Sequence, residues 1–269
     1  AIVFWLLIHR KKYSKVFRIG NIWQFDGGVM QRLLYYGAPN GFQFFVDIAG
    51  FTGFTLLVGS LGKEAMTATT LAFNVNSVAF VPMIGIGMAI STIVGQQQGA
   101  KKPELSARAT WSGFVIAAIY MGSFALMYLA IPDLFLFGFA ANSSPEEFAA
   151  LRDTVIVLLR FVAAYCLFDA MNVVFVSAVK GAGDTQFVVF ANILIAAAGV
   201  GIGWYGVAAL GWGLFECWWV VTGWICALGL TFFARFLQGR WRTMQVIEQE
   251  VIPEGASKFV TPALGEEGA

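Results

Sequence analysis

The sequence predicts an all-α integral membrane protein with six transmembrane helices, and three observations carry that prediction. Hydrophobic residues make up 58% of the 269 positions and charged residues 12%, against about a quarter charged in ordinary soluble domains. Mean hydropathy is +0.73. A soluble core of this size could not enclose so much apolar side chain, so lipid must be the solvent for much of the chain. The apolar residues also fall into runs of span length, and the basic residues collect in alternate connections between the runs. The same composition excludes intrinsic disorder. A formal net charge of +1 leaves no strongly basic face for nucleic acid.

Residues 1–8 form an apolar stub that ends at His9-Arg10-Lys11-Lys12. A secretory signal carries its positive charge before the apolar region, not after it. The stub therefore reads as the last turns of a truncated transmembrane helix, and residues 9–28 as a cytoplasmic linker. A span needs roughly 20 mainly apolar residues. Six candidates follow, at about 29–58, 66–94, 107–131, 150–179, 186–206 and 211–236. Several exceed the minimum, so tilt or extension beyond the bilayer is expected. Pro39, Pro82, Gly85 and Gly87 suit packed helices that bend, where neighbours satisfy the freed backbone groups.

Of the 17 Lys and Arg, 14 lie before or at the start of span 1, after spans 2 and 4, or after span 6. The others are Lys63, Arg152 and Arg160. Basic residues mark the cytoplasmic side, so both ends of the six-helix lobe, 29–237, are expected there. The connection 132–149 carries Asp133, Glu146 and Glu147 and reads as an outward loop. Residues 238–269 read as a polar cytoplasmic tail, partly disordered.

Ionisable groups within spans cost about 2.5–3.5 kcal/mol each even on the gentlest scale, so each needs a reason. Asp47 lies well inside span 1, with Gln43 one turn earlier on the same face. Asp169 lies within span 4, with Tyr165 and Asn172 on its face. A carboxylate, a phenol and an amide on one stripe can bind a hard cation or hold a proton. The plain alternative is a structural hydrogen bond between helices. Two Asp residues with aligned polar neighbours favour a transport or ion site.

Arg160 and Glu216, nearer the outer ends of their spans, are expected to pair or to snorkel outward. Asn74, Asn76 and Asn192 read first as contacts between helices. The many aromatic residues suit either an organic-cation pocket or lipid-facing surfaces. Cys166, Cys217 and Cys226 lie in apolar stretches as small core residues, and no Cys/His cluster with metal spacing exists. His9, the only histidine, sits beside a basic run and reads as a headgroup-level surface residue.

Three segments resemble a known family. The run from Val81 through Pro82-Met83-Ile84-Gly85 to Gly95-Gln96-Gln97-Gln98-Gly99-Ala100 resembles the signature ending the eighth span of MATE (multidrug and toxic compound extrusion) transporters. Lys180-Gly181-Ala182-Gly183-Asp184-Thr185 resembles the turn after their tenth span. Gly37-Ala38-Pro39-Asn40-Gly41 resembles the opening of their seventh. The resemblance covers roughly residues 20–240. It implies the C-terminal lobe of a twelve-helix transporter of the NorM-like branch.

On that resemblance Asp47, Asp169 and Tyr165 fall at cation-coupling positions, and Asp47 and Asp169 would be the Na⁺ ligands if sodium drives transport. Gln43, Asn74 and Asn172 become candidate polar supports or substrate contacts. Asp47 stands where the family usually has Glu, Thr69-Thr70 where it often has His-Gln, and Gln186 where it has a basic residue.

The function implied is a secondary active antiporter exporting organic cations or drugs in exchange for Na⁺ or H⁺, with no cofactor besides that ion. The partners implied are the N-terminal lobe of the same polypeptide, small organic cations and the bilayer, in a cell membrane of the bacterial inner-membrane kind. A flippase for a lipid-linked sugar is the nearest alternative, but Arg160 alone is a weak basis for its more basic cavity. A membrane enzyme would need a His cluster, a Ser/His pair or metal-spaced carboxylates, which the chain does not offer.

Overall fold

A computed structural model describes residues 27–140 and 145–244. The expectations for the stub, the linker before residue 27, His9 and the tail beyond residue 244 lie outside the described residues. Among these, the chain is helical: α1 (Gly27–Ser60), α2 (Lys63–Gly99), α3 (Pro103–Ala130), α4 (Pro132–Ala140), α5 (Pro145–Gly181), α6 (Thr185–Leu210) and α7 (Leu214–Leu237), then a 3₁₀ turn, Arg240–Thr243. Residues 36–246 make one compact unit. Six of these helices contain stretches long and apolar enough to cross a membrane: Leu33–Ser60, Lys63–Gly99, Pro103–Ala130, Leu151–Gly181, Thr185–Leu210 and Leu214–Leu237.

The expected spans match these stretches, and the boundaries differ mainly by extension at the ends. The connection 132–149 differs more, because Pro132–Ala140 and the residues from Pro145 onward are helical. Arg152, at the start of α5, reaches back to Asp133 on α4 with Nε and Nη2 each 2.7 Å from a carboxylate oxygen. That guanidinium holds the Asp133 carboxyl below its ordinary range. This two-point ion pair joins α4 to the start of α5 across a connection whose residue composition suggested loop.

Helix α5 is the axis of the unit. It packs on α7, α2 and α3, and half of its apolar window is buried, against a third or less in the other spans. Val155, Leu158, Leu159, Val162, Tyr165, Cys166, Val174 and Phe175 are all essentially inaccessible. Lipid tails are as apolar as Leu, so such packing relies on close van der Waals approach, which small residues permit. At Gly229 on α7, an added Cβ would stand 2.5 Å from the Phe168 carbonyl oxygen of α5. At Gly181 of α5, it would stand 2.5 Å from the Ser91 carbonyl oxygen of α2. Backbone meets backbone at both places.

Many aromatic residues serve this core. Trp111, Phe175, Phe233 and Phe236 form edge-on and tilted pairs between α3, α5 and α7, and Phe236 stacks on Trp241 at 4.9 Å. Others, such as Phe44, Phe45, Phe137 and Trp219, are exposed. The three cysteines are free, with Cys166 and Cys217 buried and Cys226 half-buried.

The end of the unit that carries Lys101, Lys102, Lys180, Arg235, Arg240 and Arg242 is tied by polar groups. In the turn between α5 and α6, Gly183 holds φ +97°, a conformation glycine adopts without penalty. Asp184 starts α6 but does not cap it. Its Oδ2 instead takes bonds from Arg235 Nε at 2.8 Å and Nη2 at 2.7 Å. Arg235 also lies over the Phe187 ring at 4.2 Å. Nearby, Gln98 Nε2 donates to the Trp241 carbonyl at 2.6 Å, and the Trp241 indole donates to the Phe236 carbonyl at 2.8 Å.

Two expected outcomes follow from this packing. Gly229→Ala lowers stability by about 1–3 kcal/mol through overpacking, read as a lower thermal midpoint in detergent, whereas Gly223→Ala, which meets nothing within 4 Å, leaves it level or raises it. Arg235→Met strands the buried Asp184 carboxylate and costs about 3–5 kcal/mol. Adding Asp184→Asn to that variant restores most of the midpoint.

Candidate functional site

Two polar groups stand inside the spans. The first centres on Asp47 of α1, where the helix is otherwise ringed by Phe42, Phe44, Phe45 and Ile48, all exposed. Asp47 itself is exposed at the surface of the unit, but the side chains holding it are not. Gln43 is 6% accessible and Asn192, on α6, 2%. Asn192 Nδ2 donates to Asp47 Oδ1 at 2.6 Å, and Gln43 Nε2 donates to Asp47 Oδ2 at 3.3 Å. The Gln43 bond follows from helix geometry, since residues four apart lie one above the other. The Asn192 bond joins residues 145 positions apart and exists only because α1 and α6 come together.

The donor orientation of both carboxamides is set by the carboxylate, because turning either one over would bring its oxygen against an anion. That orientation leaves Gln43 Oε1 and Asn192 Oδ1 buried without a hydrogen-bond partner. Just along the helices from this group, Trp224 of α7 lies against Gly50 and Gly199, where a Cβ would meet its ring at 2.5 and 3.1 Å respectively. Its indole N–H also lacks a partner. Lys180, near the end of α5, is close enough to Asp47 to interact electrostatically.

The second group is on α5. Asp169 and Tyr165 are buried at 6% and 1% accessibility, one turn apart on one face, and they interact electrostatically. Asn172 stands near enough to Asp169 to interact with its carboxylate, so the three side chains lie along one stretch of α5. Tyr128 of α3 is near Tyr165, and its hydroxyl donates to the Val75 carbonyl of α2 at 3.4 Å.

The structure thus brings Gln43 to Asp47, and Tyr165 and Asn172 to Asp169. Among the described residues no hydrogen bond joins the two carboxylates, and no three His, Cys, Asp or Glu side chains cluster as a metal site would require. Asn74 is exposed on α2, and no contact there ties it to either group. Asn192, read from sequence as a helix contact, is the missed member. Its signal was present as an Asn in an otherwise apolar span, but its partner lies on another helix.

Glu216 does not pair with Arg160. Its Oε2 accepts the Gly213 N–H at 3.0 Å, completing the start of α7, while Arg160 is exposed. Thr69, at the place of departure from the family's His-Gln pair, accepts the buried Trp218 indole N–H at 3.1 Å and so links α2 to α7.

Six spans, one of them a buried central helix, with carboxylates beside amides and a phenol in apolar surroundings, define a polytopic membrane protein of the transport class. Residues 39–205 match the MatE family model, and the chain belongs to that family. Its similar relatives include proteins named "Probable multidrug resistance protein NorM" from Mesorhizobium japonicum and Pseudomonas aeruginosa. Each is 27% identical, over 65% of this chain and 38% of the first relative, and over 85% of this chain and 46% of the second.

Among solved structures, an outward-facing multidrug resistance MATE transporter of the MOP superfamily superposes with TM-score 0.67 at 17% identity, covering 86% of this chain and 48% of that one. The eukaryotic MATE transporter AtDTX14 does so with TM-score 0.70 at 16% identity, covering 93% and 56%. The chain therefore spans under half the length of these NorM relatives, and the solved structures show the likeness of fold.

Replacing Thr69 with Val leaves the Trp218 indole unpaired in the core. It is expected to cost about 1–3 kcal/mol, seen as a lower thermal midpoint that Thr69→Ser restores.

Proposed function

We propose that this chain is the C-terminal half of a secondary active antiporter that exports organic cations or drugs in exchange for Na⁺ or H⁺. The observation that carries the reading is the pair of polar groups at Asp47 and Asp169, each held by neutral side chains inside apolar helices. A structural role would be met by one satisfied bond between helices. Here one carboxylate is buried beside a phenol, and the other is exposed at the surface of the unit. The relatives' multidrug resistance names support the substrate class. The basic end of the unit is the cytoplasmic one on the charge rule, in a cell membrane of the bacterial inner-membrane kind.

The mechanism is alternating access, in which two lobes rock about a central cavity. Residues 9–28 link the lobes, and the N-terminal lobe is the partner of this one. An ion from outside binds at Asp47 or at Asp169 with Tyr165, and favours the outward-facing, substrate-releasing state. It drives the change only through its differential affinity for the two states. Asn172 and Gln43 hold the carboxylates in place, and Asn74 stands as a candidate substrate contact.

Dye efflux from vesicles containing the full-length parent, with Na⁺ and H⁺ gradients imposed separately, checks this. Gradient-driven efflux of a cationic dye is expected, and Asp169→Asn or Asp47→Asn at equal expression should lose it. Unchanged ion-dependent efflux in Asp169→Asn would sink that residue's role, and no efflux from wild type under either gradient would sink the antiporter.

A further inference from the structure

We propose that the basic end of the unit binds an anionic phospholipid between α3 and α7. Its phosphate lies among Lys102, Arg108, Arg240 and Arg242, and one acyl chain lies against Trp111. This goes beyond the transport reading and does not need it.

The placement follows from one face of α3. Glu104, Arg108 and Trp111 are spaced by four and then three residues, so they share that face. Both ends of the face meet α7 or the turn that follows it. Glu104 Oε1 stands 3.7 Å from Arg242 Nη1 in the 3₁₀ turn. The Trp111 ring meets Phe233 and Phe236 of α7 edge-on, at 6.2 and 6.3 Å between centroids. Arg108 lies between these contacts and is exposed. The 3₁₀ turn is also held from α2, because Gln98 Nε2 donates to the Trp241 carbonyl at 2.6 Å. Lys101 and Lys102 follow Gln98 directly in the turn that ends α2, where their N–H groups donate to the Gln98 and Gln97 carbonyls. Three elements thus bring their cations to one place.

What gathers there is positive charge with little to answer it. Lys101, Lys102, Arg108, Arg240 and Arg242 are all exposed. Among the described residues their one ion pair is Arg242 with Glu104 at 3.7 Å. Its side chains are 50% and 76% exposed, and a pair so open contributes little. Elsewhere the unit answers its cations, Arg152 with Asp133 and Arg235 with Asp184. Topology asks for basic residues on the cytoplasmic side, but it does not ask for five on adjoining elements.

One turn further into the membrane, Trp111 is 41% exposed although four aromatic rings surround it. Leu237, at the end of α7, is 58% exposed. Basic groups between helices on the cytoplasmic side take phosphate headgroups, and that leaflet carries the anionic lipids. A soluble phosphate ester would use the cations and leave Trp111 and Leu237 uncovered. A phospholipid uses both.

The test is a phosphatidylglycerol with a diazirine near the top of one acyl chain, photolysed with the full-length parent in phosphatidylcholine vesicles. Cross-links are expected on the peptides holding Trp111 and Leu237. Unlabelled phosphatidylglycerol should compete with them, whereas glycerol phosphate and extra phosphatidylcholine should not. Lys102→Gln with Arg240→Gln should raise the phosphatidylglycerol needed for half-maximal labelling about 25-fold, at about fivefold for each cation lost. Lys63→Gln removes a cation from the opposite end of α2 and should leave that amount within about twofold. The charge-keeping Lys102→Arg with Arg240→Lys should do the same.

Labelling that phosphatidylcholine competes equally well, or that glycerol phosphate abolishes, would overturn the proposal. So would an unchanged half-maximal amount in the double Gln variant. Should that variant not yield monodisperse protein, Lys102→Gln and Arg240→Gln decide singly, and unchanged labelling in both overturns the proposal. Dye efflux does not enter the readout, so failure of the antiporter reading leaves this result standing.

Discussion

The lobe depends on α5 being enclosed. Helices in lipid gain nothing from hiding Leu against Leu, so a central helix stays central only if its neighbours approach closely enough for van der Waals contact to outweigh contact with lipid. Gly229 and Gly181 make that approach possible, each placing its own backbone where a methyl group would strike a carbonyl of the neighbouring helix. With α7 and α2 that close, Tyr165, Cys166 and Asp169 leave the lipid altogether. The polar stripe on α5 is a consequence of this enclosure. On an outer helix the same three residues would face hydrocarbon.

A second constraint acts on the polar groups that enclosure creates. Nothing in lipid can satisfy them, so they must find partners within the chain. Most do: Trp218 uses Thr69, Gln98 uses the Trp241 carbonyl, and Asp184 uses Arg235. The family-like segments that end α2 and join α5 to α6 therefore act here as ties at the basic end. They tie α2 to the turn after α7, and the start of α6 to α7. Among the described residues the exceptions are Gln43, Asn76, Asn192 and Trp224, two of them in the shell of Asp47. Incomplete satisfaction at that carboxylate contrasts with the complete ion pair at Asp184, and it is the contrast that separates a site from a fastening.

Whether a feature was legible in the residues depended on the range of the interaction behind it. Spans came from runs of about 20 apolar residues because the bilayer imposes a length that needs no knowledge of neighbours. The Tyr165–Asp169–Asn172 stripe and the Gln43–Asp47 pair were legible because helical spacing alone aligns them. Asn192 was read as one polar contact among several, since its bond to Asp47 crosses from α6 to α1. Glu216 and Arg160 looked like a pair because both were charges at span ends, but a backbone N–H at the start of α7 was nearer to Glu216 than any guanidinium. The helix α4 was missed because the acidic residues of 132–149 read as an outward loop, and the bond from Arg152 to Asp133 lies between two elements.

What the sequence determined by itself was membrane residence, the six crossings and which charged residues lipid would not accept. Each of these depends on the chain and its solvent, and a linear pattern of apolar runs and charges is sufficient to express it. Only the tertiary structure decided that α5 is the axis, that Asp169 is buried while Asp47 lies at the surface, and that Asn192 completes the Asp47 group. Those outcomes depend on which helix faces which. That is set by close backbone contacts at a few glycines and by bonds between residues more than a hundred positions apart, and spacing along the chain does not encode them.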